Sequence, residues 1–141
     1  MFRVIKALNH NGVLAIDVDM NNEYILLGKG IGFGKKVNER MEAPEDTHIY
    51  LLQQETERGS TKEIINNIEP KFLEIASTII MEAKKKFKEV DENILCPLAD
   101  HIAFAVNIYG HFLVLPYVHS PFFQNLYLFQ AIYILSAYHY L

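Results

Sequence analysis

The chain has 141 residues, enough for one or two small domains that each bury a modest core. Its formal net charge of −4 argues against nucleic-acid binding driven by bulk positive charge, although residues 1–41 carry six Lys and Arg against four Asp and Glu. The single cysteine, Cys96, excludes an internal disulfide, and no cysteine and histidine spacing indicates a metal site. The amino terminus also lacks the apolar run of a secretion signal, so we expect a protein of a reducing compartment without a metal or other cofactor.

Residues 2–55 have the pattern of short β-strands. Apolar and β-branched residues form four segments, and Asn11-Gly12 is a strong hairpin-turn signal between the first two. The predicted strands are 2–8, 13–18, 23–27 and 47–53. Such a small antiparallel sheet has little core of its own, so a second layer must cover one face. A second copy of the chain is the simplest source of that layer, which favours a homodimer.

The segment 28–36 is rich in glycine and lysine, with four glycines, three lysines and Phe33 in nine residues. Glycine allows close backbone approach to a ligand, lysine attracts phosphate, and an exposed aromatic ring can stack on a base. This composition favours binding of a looped or single-stranded nucleic acid. Two alternatives stay open: a glycine-rich connection that binds nothing, and a nucleotide-binding loop of a small enzyme. The second requires a helix after the glycines, yet residues 37–44 have no apolar helical stripe.

Residues 56–110 change to a helical pattern. Ser60-Thr61-Lys62-Glu63 fits a capping box that opens a short helix, and Pro70 suits the first turn of the next helix. Apolar residues at helical spacing then predict a buried face rather than a cofactor site, and Pro97 predicts the start of a further helix. The apolar positions are Phe72, Ile75, Ala76, Ile79, Ile80, Ala83 and Phe87 in the first of these two helices, and Leu98, Ile102, Ala105 and Val106 in the second.

Residues 101–141 contain no Lys, Arg, Asp or Glu and hold eleven of the seventeen aromatic residues. A soluble surface normally carries charge, so one interpretation is a membrane segment within 122–141. However, polar residues interrupt this segment and no basic cluster flanks it. The other interpretation is a tail that is foreign to the preceding fold.

Two motifs resemble a known family. Leu8-Asn9-His10-Asn11, followed by the run from Glu23 to Lys36, is similar to the RNA-binding domain of the BglG/SacY family of transcriptional antiterminators. The stretch 70–106, ending in Leu98-Ala99-Asp100-His101-Ile102-Ala103-Phe104-Ala105, is similar to the start of that family's first regulatory domain. Both motifs stand in the order and spacing of the family.

The resemblance implies a cytoplasmic, non-enzymatic regulator with an α+β fold. A dimerising four-stranded antiparallel sheet over residues 1–56 would bind an RNA hairpin in nascent messenger RNA and prevent a terminator from forming. Residues 57–106 would be an incomplete all-α regulatory domain, in a family whose histidines are phosphorylated by proteins of the sugar phosphotransferase system. The family's RNA contacts match Lys6, Asn9, Asn11, Gly28, Lys29 and Phe33 in this sequence, and its phosphorylated histidine matches His101.

The chemistry of these residue types agrees with such roles. Asn9 and Asn11 each carry a donor and an acceptor that can read base edges, although asparagine before glycine is also a common turn residue. Lysines can neutralise phosphate, and Phe33 can stack on a base or belong to the core. The family often has arginine at the position of Lys29, and lysine lacks the planar fork of arginine. His10 is expected to be a turn or packing residue.

The segment 107–141 departs from the family pattern, which continues with charged helices and a second phosphorylatable histidine. A shift of reading frame near Val106 would explain the change, and this copy is then expected to be truncated and unregulated. The alternative is a membrane-anchored or structural interaction protein that uses the apolar tail.

Overall fold

The structure is a computed structural model that describes residues 1–52, 55–56 and 59–110. It combines an antiparallel sheet with helices packed on one face, so the predicted α+β class is confirmed. The main sheet has the strand order β4-β1-β2-β3-β5. Its strands are β1 (Phe2–Asn9), β2 (Gly12–Asp17), β3 (Glu23–Leu27), β4 (Arg40–Met41) and β5 (His48–Leu51).

The prediction of four strands was wrong because it missed β4. This strand has two residues and pairs with the start of β1, with Met41 opposite Phe2 and Arg40 opposite Arg3. Two residues cannot display an alternating pattern, and the pairing joins segments nearly forty positions apart. A separate two-stranded sheet is formed by β6 (Glu55–Thr56) and β7 (Gly59–Ser60).

The hairpin between β1 and β2 turns where the sequence predicts it. Asn9 pairs with Gly12, so His10 and Asn11 form a two-residue connection. The pairing is irregular between Val4 and Lys6 and again between Ala7 and Asn9. Such irregularities increase the local twist of a strand and re-aim its side chains.

The helices are α1 (Thr61–Asn67), α2 (Pro70–Lys86) and α3 (Leu95–Gly110), with a short 3-10 helix (Glu92–Ile94) before α3. Pro70 lies in the first turn of α2, as predicted, where its missing N–H leaves no bond unmade. In contrast, α3 begins two residues before Pro97. The Asp91 carboxylate accepts the Asn93 N–H at 2.9 Å and starts the 3-10 helix, which continues into α3, so Pro97 lies inside the first turn.

The main core lies between the sheet and the helices. The sheet contributes Leu14, Ile25, Leu27 and Tyr50, which pack with helical residues that include Leu73 and Ile80. The helices therefore supply the second layer that the sequence argument sought from another copy of the chain. A dimer is not required to cover this face and stays a prediction.

The predicted apolar stripe is confirmed in the middle of α2 and wrong at its edges. Phe72, Ala76, Ile80 and Ala83 are buried, whereas Ile75 and Phe87 are exposed. Ser77 is also buried, but because it is polar the apolar spacing of the sequence did not predict its burial. In α3 the buried positions are Leu95, Cys96, Leu98, Ala99 and Ala103, while Ile102 and Ala105 are only half-buried and Val106 is exposed.

A second, smaller cluster lies on the opposite face of the sheet. Val13 and Leu26 from the strands pack with Ile31 from the glycine segment and Met41 from β4. The glycine segment is thus anchored to the sheet by the side chain of Ile31. Within residues 1–52, 55–56 and 59–110, no helix is long and apolar enough to cross a membrane. The possible membrane segment 122–141 and the tail from 111 onward lie outside the described residues.

Candidate nucleic-acid interface

The tip of the β1–β2 hairpin and the glycine segment form one continuous surface. The Gly28 N–H donates to the Asn11 carbonyl at 2.9 Å, and the Gly32 N–H donates to the His10 carbonyl at 3.0 Å. The Asn11 side-chain oxygen also accepts the Gly30 N–H at 3.0 Å. We call residues 9–12 together with 28–34 the tip surface.

The absence of a side chain at Gly32 allows the glycine segment to run close to the β1–β2 hairpin. A Cβ atom at Gly32 would lie 2.0 Å from the Asn9 carbonyl oxygen and 2.8 Å from the Gly12 carbonyl oxygen. Both neighbours are backbone atoms that cannot rotate away. Gly30 and Gly34 serve a different purpose, because they adopt positive φ angles of 73° and 68°. The glycines therefore build the turns of the tip surface and allow it to pack on the hairpin.

Phe33 lies at the outer edge of the tip surface with 71% of its area exposed. The alternative that Phe33 belongs to the core is therefore wrong. Its ring contacts the His10 ring edge-on, with centroids 5.4 Å apart and planes at 74°. His10 lies in the turn, as expected. Its contact with Phe33 also places it next to the candidate site, which the sequence did not predict.

Hydrogen bonds hold the side chains of Asn9 and Asn11 so that both side-chain amides face α2. The Asn9 side-chain oxygen accepts the Asn11 N–H at 2.8 Å. The two side-chain amides then donate to one carboxylate, that of Glu74 in α2: Asn9 Nδ2 to Oε1 at 2.6 Å and Asn11 Nδ2 to Oε2 at 3.2 Å. Glu74 is a residue that sequence reasoning missed, since it stands more than sixty positions away in a helix with no local motif.

The predicted basic residues differ in their surroundings. Lys29 is exposed on the tip surface beside a cavity of about 300 Å³ that is also lined by Gly28, His48 and Glu74. Lys6 is exposed on β1, and its Nζ donates to the Asn66 side chain of α1 at 3.3 Å. Five of the six predicted RNA-binding residues thus lie on the tip surface, whereas Lys6 lies on β1 outside it and contacts α1.

Lys35 and Lys36, at the end of the glycine segment, both contact Glu39. Lys35 Nζ lies 2.6 Å from the Glu39 carboxylate, which also accepts the Lys36 N–H at 3.1 Å. These two hydrogen bonds, with Lys35 the larger cause, lower the pKa of Glu39 below its ordinary value. Glu39 therefore stays ionised, and its contacts with Lys35 and Lys36 hold the end of the glycine segment next to the start of β4.

The chain after the glycines also excludes the nucleotide-binding interpretation. That motif requires a helix whose N-terminus faces the phosphate, but here the segment leads through turns to β4.

The predicted phosphorylation site lies apart from the tip surface in the sequence, on α3. His101 and its neighbour Asp100 are both half-buried on α3, which packs against α1 and α2. Among the described residues, no group of three or more His, Cys, Asp or Glu side chains could hold a metal ion.

Comparisons with known proteins agree with this geometry. Residues 2–59 match the family model of the CAT RNA-binding domain. The chain is 32% identical over 104 residues to the GlcA/glcB genes antiterminator of Staphylococcus carnosus, covering 71% of this chain and 36% of that protein. It is 25% identical over 105 residues to the transcription antiterminator LicT of Bacillus subtilis, covering 74% and 38% of the two chains.

A solved structure is also similar. The crystal structure of GlcT CAT-PRDI aligns with a TM-score of 0.61 and 29% sequence identity, covering 89% of this chain and 75% of that one. The present chain spans little more than a third of the length of the two antiterminators. The residues that match the RNA-binding family model, 2–59, include the whole tip surface.

Proposed function

Because the chain belongs to the BglG/SacY family of transcriptional antiterminators, we propose that it binds an RNA hairpin in nascent messenger RNA and prevents a terminator from forming. The observation that carries this proposal is the exposed ring of Phe33 on a surface that also holds Asn9, Asn11 and Lys29. All four lie within the stretch that matches the RNA-binding family. The relatives from Staphylococcus carnosus and Bacillus subtilis are named antiterminators, which supports a regulator rather than an enzyme, acting in the cytoplasm.

Each residue type of the tip surface suits an unpaired RNA loop. The Phe33 ring offers a stacking face that accepts any base. The Asn9 and Asn11 amides can donate to base acceptors, and the Gly28 backbone allows a sugar or phosphate to approach closely. Lys29 and Lys6 supply positive charge near the phosphates. The overall charge of −4 gives no general attraction for RNA, so binding relies on this local surface.

We place a homodimer contact on the sheet face opposite the helices. Ile49 and Leu51 are exposed on the edge strand β5, with 41% and 46% of their area accessible. On the same face, Phe2 and Tyr24 pack edge-to-face with centroids 5.7 Å apart. Residues 1–56 would then form the RNA-binding unit, and residues 57–106 would be the first part of a regulatory domain.

The regulatory proposal concerns His101. Phosphotransferase-system proteins would transfer a phosphoryl group to this histidine on α3, adding roughly −1.5 to −2 charge to a helix that packs on α2. The direct test is incubation of the full chain with phosphoenolpyruvate carrying labelled phosphate and the general phosphotransferase proteins. Label that is present in the parent and absent from His101→Ala supports the assignment, and equal labelling of both proteins contradicts it.

The RNA proposal is tested by selection. The full chain is used to select from a pool of RNA stem-loops with randomised internal loops, and the affinity of the enriched RNA is compared with that of a perfect duplex of equal length. We expect preference for the looped RNA, and weaker binding by Phe33→Ala but not by Val37→Ala, a second exposed apolar residue of the neighbouring segment. Equal affinity for the duplex, or equal affinity of parent and Phe33→Ala, would contradict the proposal.

A further inference from the structure

Helix α2 places a carboxylate on the surface proposed to bind RNA. The two oxygens of Glu74 accept hydrogen bonds from the amides of Asn9 and Asn11, at 2.6 Å and 3.2 Å. These are the two amides that would read base edges in the proposed function. A separate contact between the sheet and the helices joins Lys6 of β1 to Asn66 of α1.

A carboxylate is a strong competitor for these donors. An ionised carboxylate only accepts hydrogen bonds, and its bonds are shorter and stronger than those between neutral groups. Glu74 is half-buried, so water screens this interaction less than it would on an open surface. Its negative charge also repels phosphate near Lys29, which lines the same cavity. RNA and Glu74 therefore cannot occupy the two amides together.

The position of Glu74 is fixed by the packing of its helix. In the same turn of α2, Leu73 and Ala76 are buried, with 1% and 0% of their area exposed. One turn further, the Ser77 hydroxyl lies 2.6 Å from the Tyr50 hydroxyl of β5. The helix therefore cannot move away from the tip surface without disrupting this core, although the Glu74 side chain itself can rotate.

We propose that Glu74 is an autoinhibitory residue, and that RNA must displace its carboxylate from Asn9 and Asn11 before it can bind. This inference rests on the proposed function, because it concerns access to the same surface. The structure described here is then the closed state. Any change that rotates the Glu74 side chain away from Asn9 and Asn11 would open the site while α2 stays packed, which gives the helical region a direct physical route to control RNA binding.

The test compares Glu74 variants of the full chain with the parent, using the RNA selected as above. Glu74→Ala removes the carboxylate, and Glu74→Asp keeps the charge but withdraws the carboxylate by about 1.5 Å. Both variants should bind the RNA about tenfold more tightly, since the open fraction of the protein rises. Glu82→Ala is the matched control, because Glu82 is an acidic residue of the same helix that pairs with Lys85 instead.

Several outcomes would overturn the inference while leaving the proposed function intact. These are unchanged affinity in both Glu74 variants, tighter binding in Glu74→Ala but not in Glu74→Asp, or an equal gain in Glu82→Ala. The second would indicate simple charge repulsion. If neither parent nor variant prefers looped RNA, the proposed function fails instead.

The contact itself has a readout that needs no RNA. In the ¹⁵N-labelled full chain, the side-chain amide signals of Asn9 and Asn11 should shift in Glu74→Ala and stay in place in Glu82→Ala. Glu74→Gln serves the same purpose if Glu74→Ala does not fold, as judged by circular dichroism. Unshifted amide signals would contradict the contact and with it the inference.

Discussion

The hydroxyl groups of Tyr50 and Ser77 form a buried hydrogen bond of 2.6 Å that joins the edge of the sheet to the middle of α2. Burial raises the pKa of Tyr50 above its ordinary value of 10.0, so the phenol stays protonated at neutral pH. A polar pair in an otherwise apolar contact specifies one alignment of helix and sheet. Because Glu74 lies one turn before Ser77, this bond also sets where the Glu74 carboxylate falls.

Removing one member of this pair should weaken the fold measurably. Tyr50→Phe leaves the buried Ser77 hydroxyl without its partner, and we expect a loss of about 1 kcal/mol in the free energy of unfolding. Ser77→Ala should cost a similar amount. In urea denaturation of the full chain, the double variant should lose less than the sum of the two single variants. Strict additivity would show that the hydrogen bond contributes nothing to stability.

The sequence predicts the features of the site that depend on local geometry. Asn11-Gly12 predicts the hairpin turn because two-residue turns need such residues, and the density of glycine predicts a segment of unusual backbone shape. Pro70 marks the start of α2 because proline fits the first turn of a helix and disrupts later ones. These signals lie within a few residues of the structure that they specify.

Contacts between distant segments were not predictable in this way. The bonds from Asn9 and Asn11 to Glu74 depend on how α2 packs against the sheet, and that packing is set by many apolar residues together. The role of Gly32 depends on the backbone carbonyls of Asn9 and Gly12 at the tip of the β1–β2 hairpin. The sequence showed that glycine was frequent here, but only the structure distinguishes a glycine needed for space from one needed for a positive φ angle.

Gly32→Ala should destabilise the chain more than Gly28→Ala. The new Cβ at position 32 would clash with two backbone carbonyls and disrupt the Gly32 hydrogen bond to His10, at a cost on the order of 3 kcal/mol. At Gly28 the nearest atom is the Thr47 hydroxyl at 3.3 Å, which can shift slightly. Thermal unfolding of both variants provides the measurement. Equal midpoints would mean that the glycine segment does not pack on the hairpin in solution.

Lys29→Ala should weaken RNA binding in a salt-dependent manner. Loss of one phosphate contact reduces the slope of log affinity against log salt by about one, with little change in which loops are preferred. Lys88→Ala is the control, since Lys88 is an exposed lysine in the connection between α2 and α3. The selected RNA is titrated at four salt concentrations. An equal change of slope in both variants would indicate a general charge effect rather than a contact at the tip surface.

Cys96 should be unreactive in the folded chain. Burial raises the pKa of its thiol to about 12 from an ordinary value of 9.0, so almost no thiolate forms at pH 8. A thiol reagent such as iodoacetamide should modify the chain in urea but not in buffer, as measured by mass. Because the folded pKa exceeds the unfolded one, the free energy of unfolding should also decline as pH rises from about 9 toward 12. Rapid modification of the native chain at pH 8 would contradict the burial of Cys96 in α3.

The contact between Asn11 and Glu74 should respond to reversal of its polarity. Asn11→Asp keeps an oxygen that can accept the Gly30 N–H but replaces the amide donor with a second oxygen facing the Glu74 carboxylate. The two negative groups should repel each other and lower the free energy of unfolding by about 1 kcal/mol. Adding Glu74→Gln restores one donor and one acceptor across the contact, so the double variant should recover most of this loss. The three variants are compared with the parent by urea denaturation, with Asn11→Asp plus Glu82→Gln as the matched control. Recovery that is equally large in the control would reflect net charge alone, whereas recovery only with Glu74→Gln would demonstrate that α2 rests on the tip surface in solution.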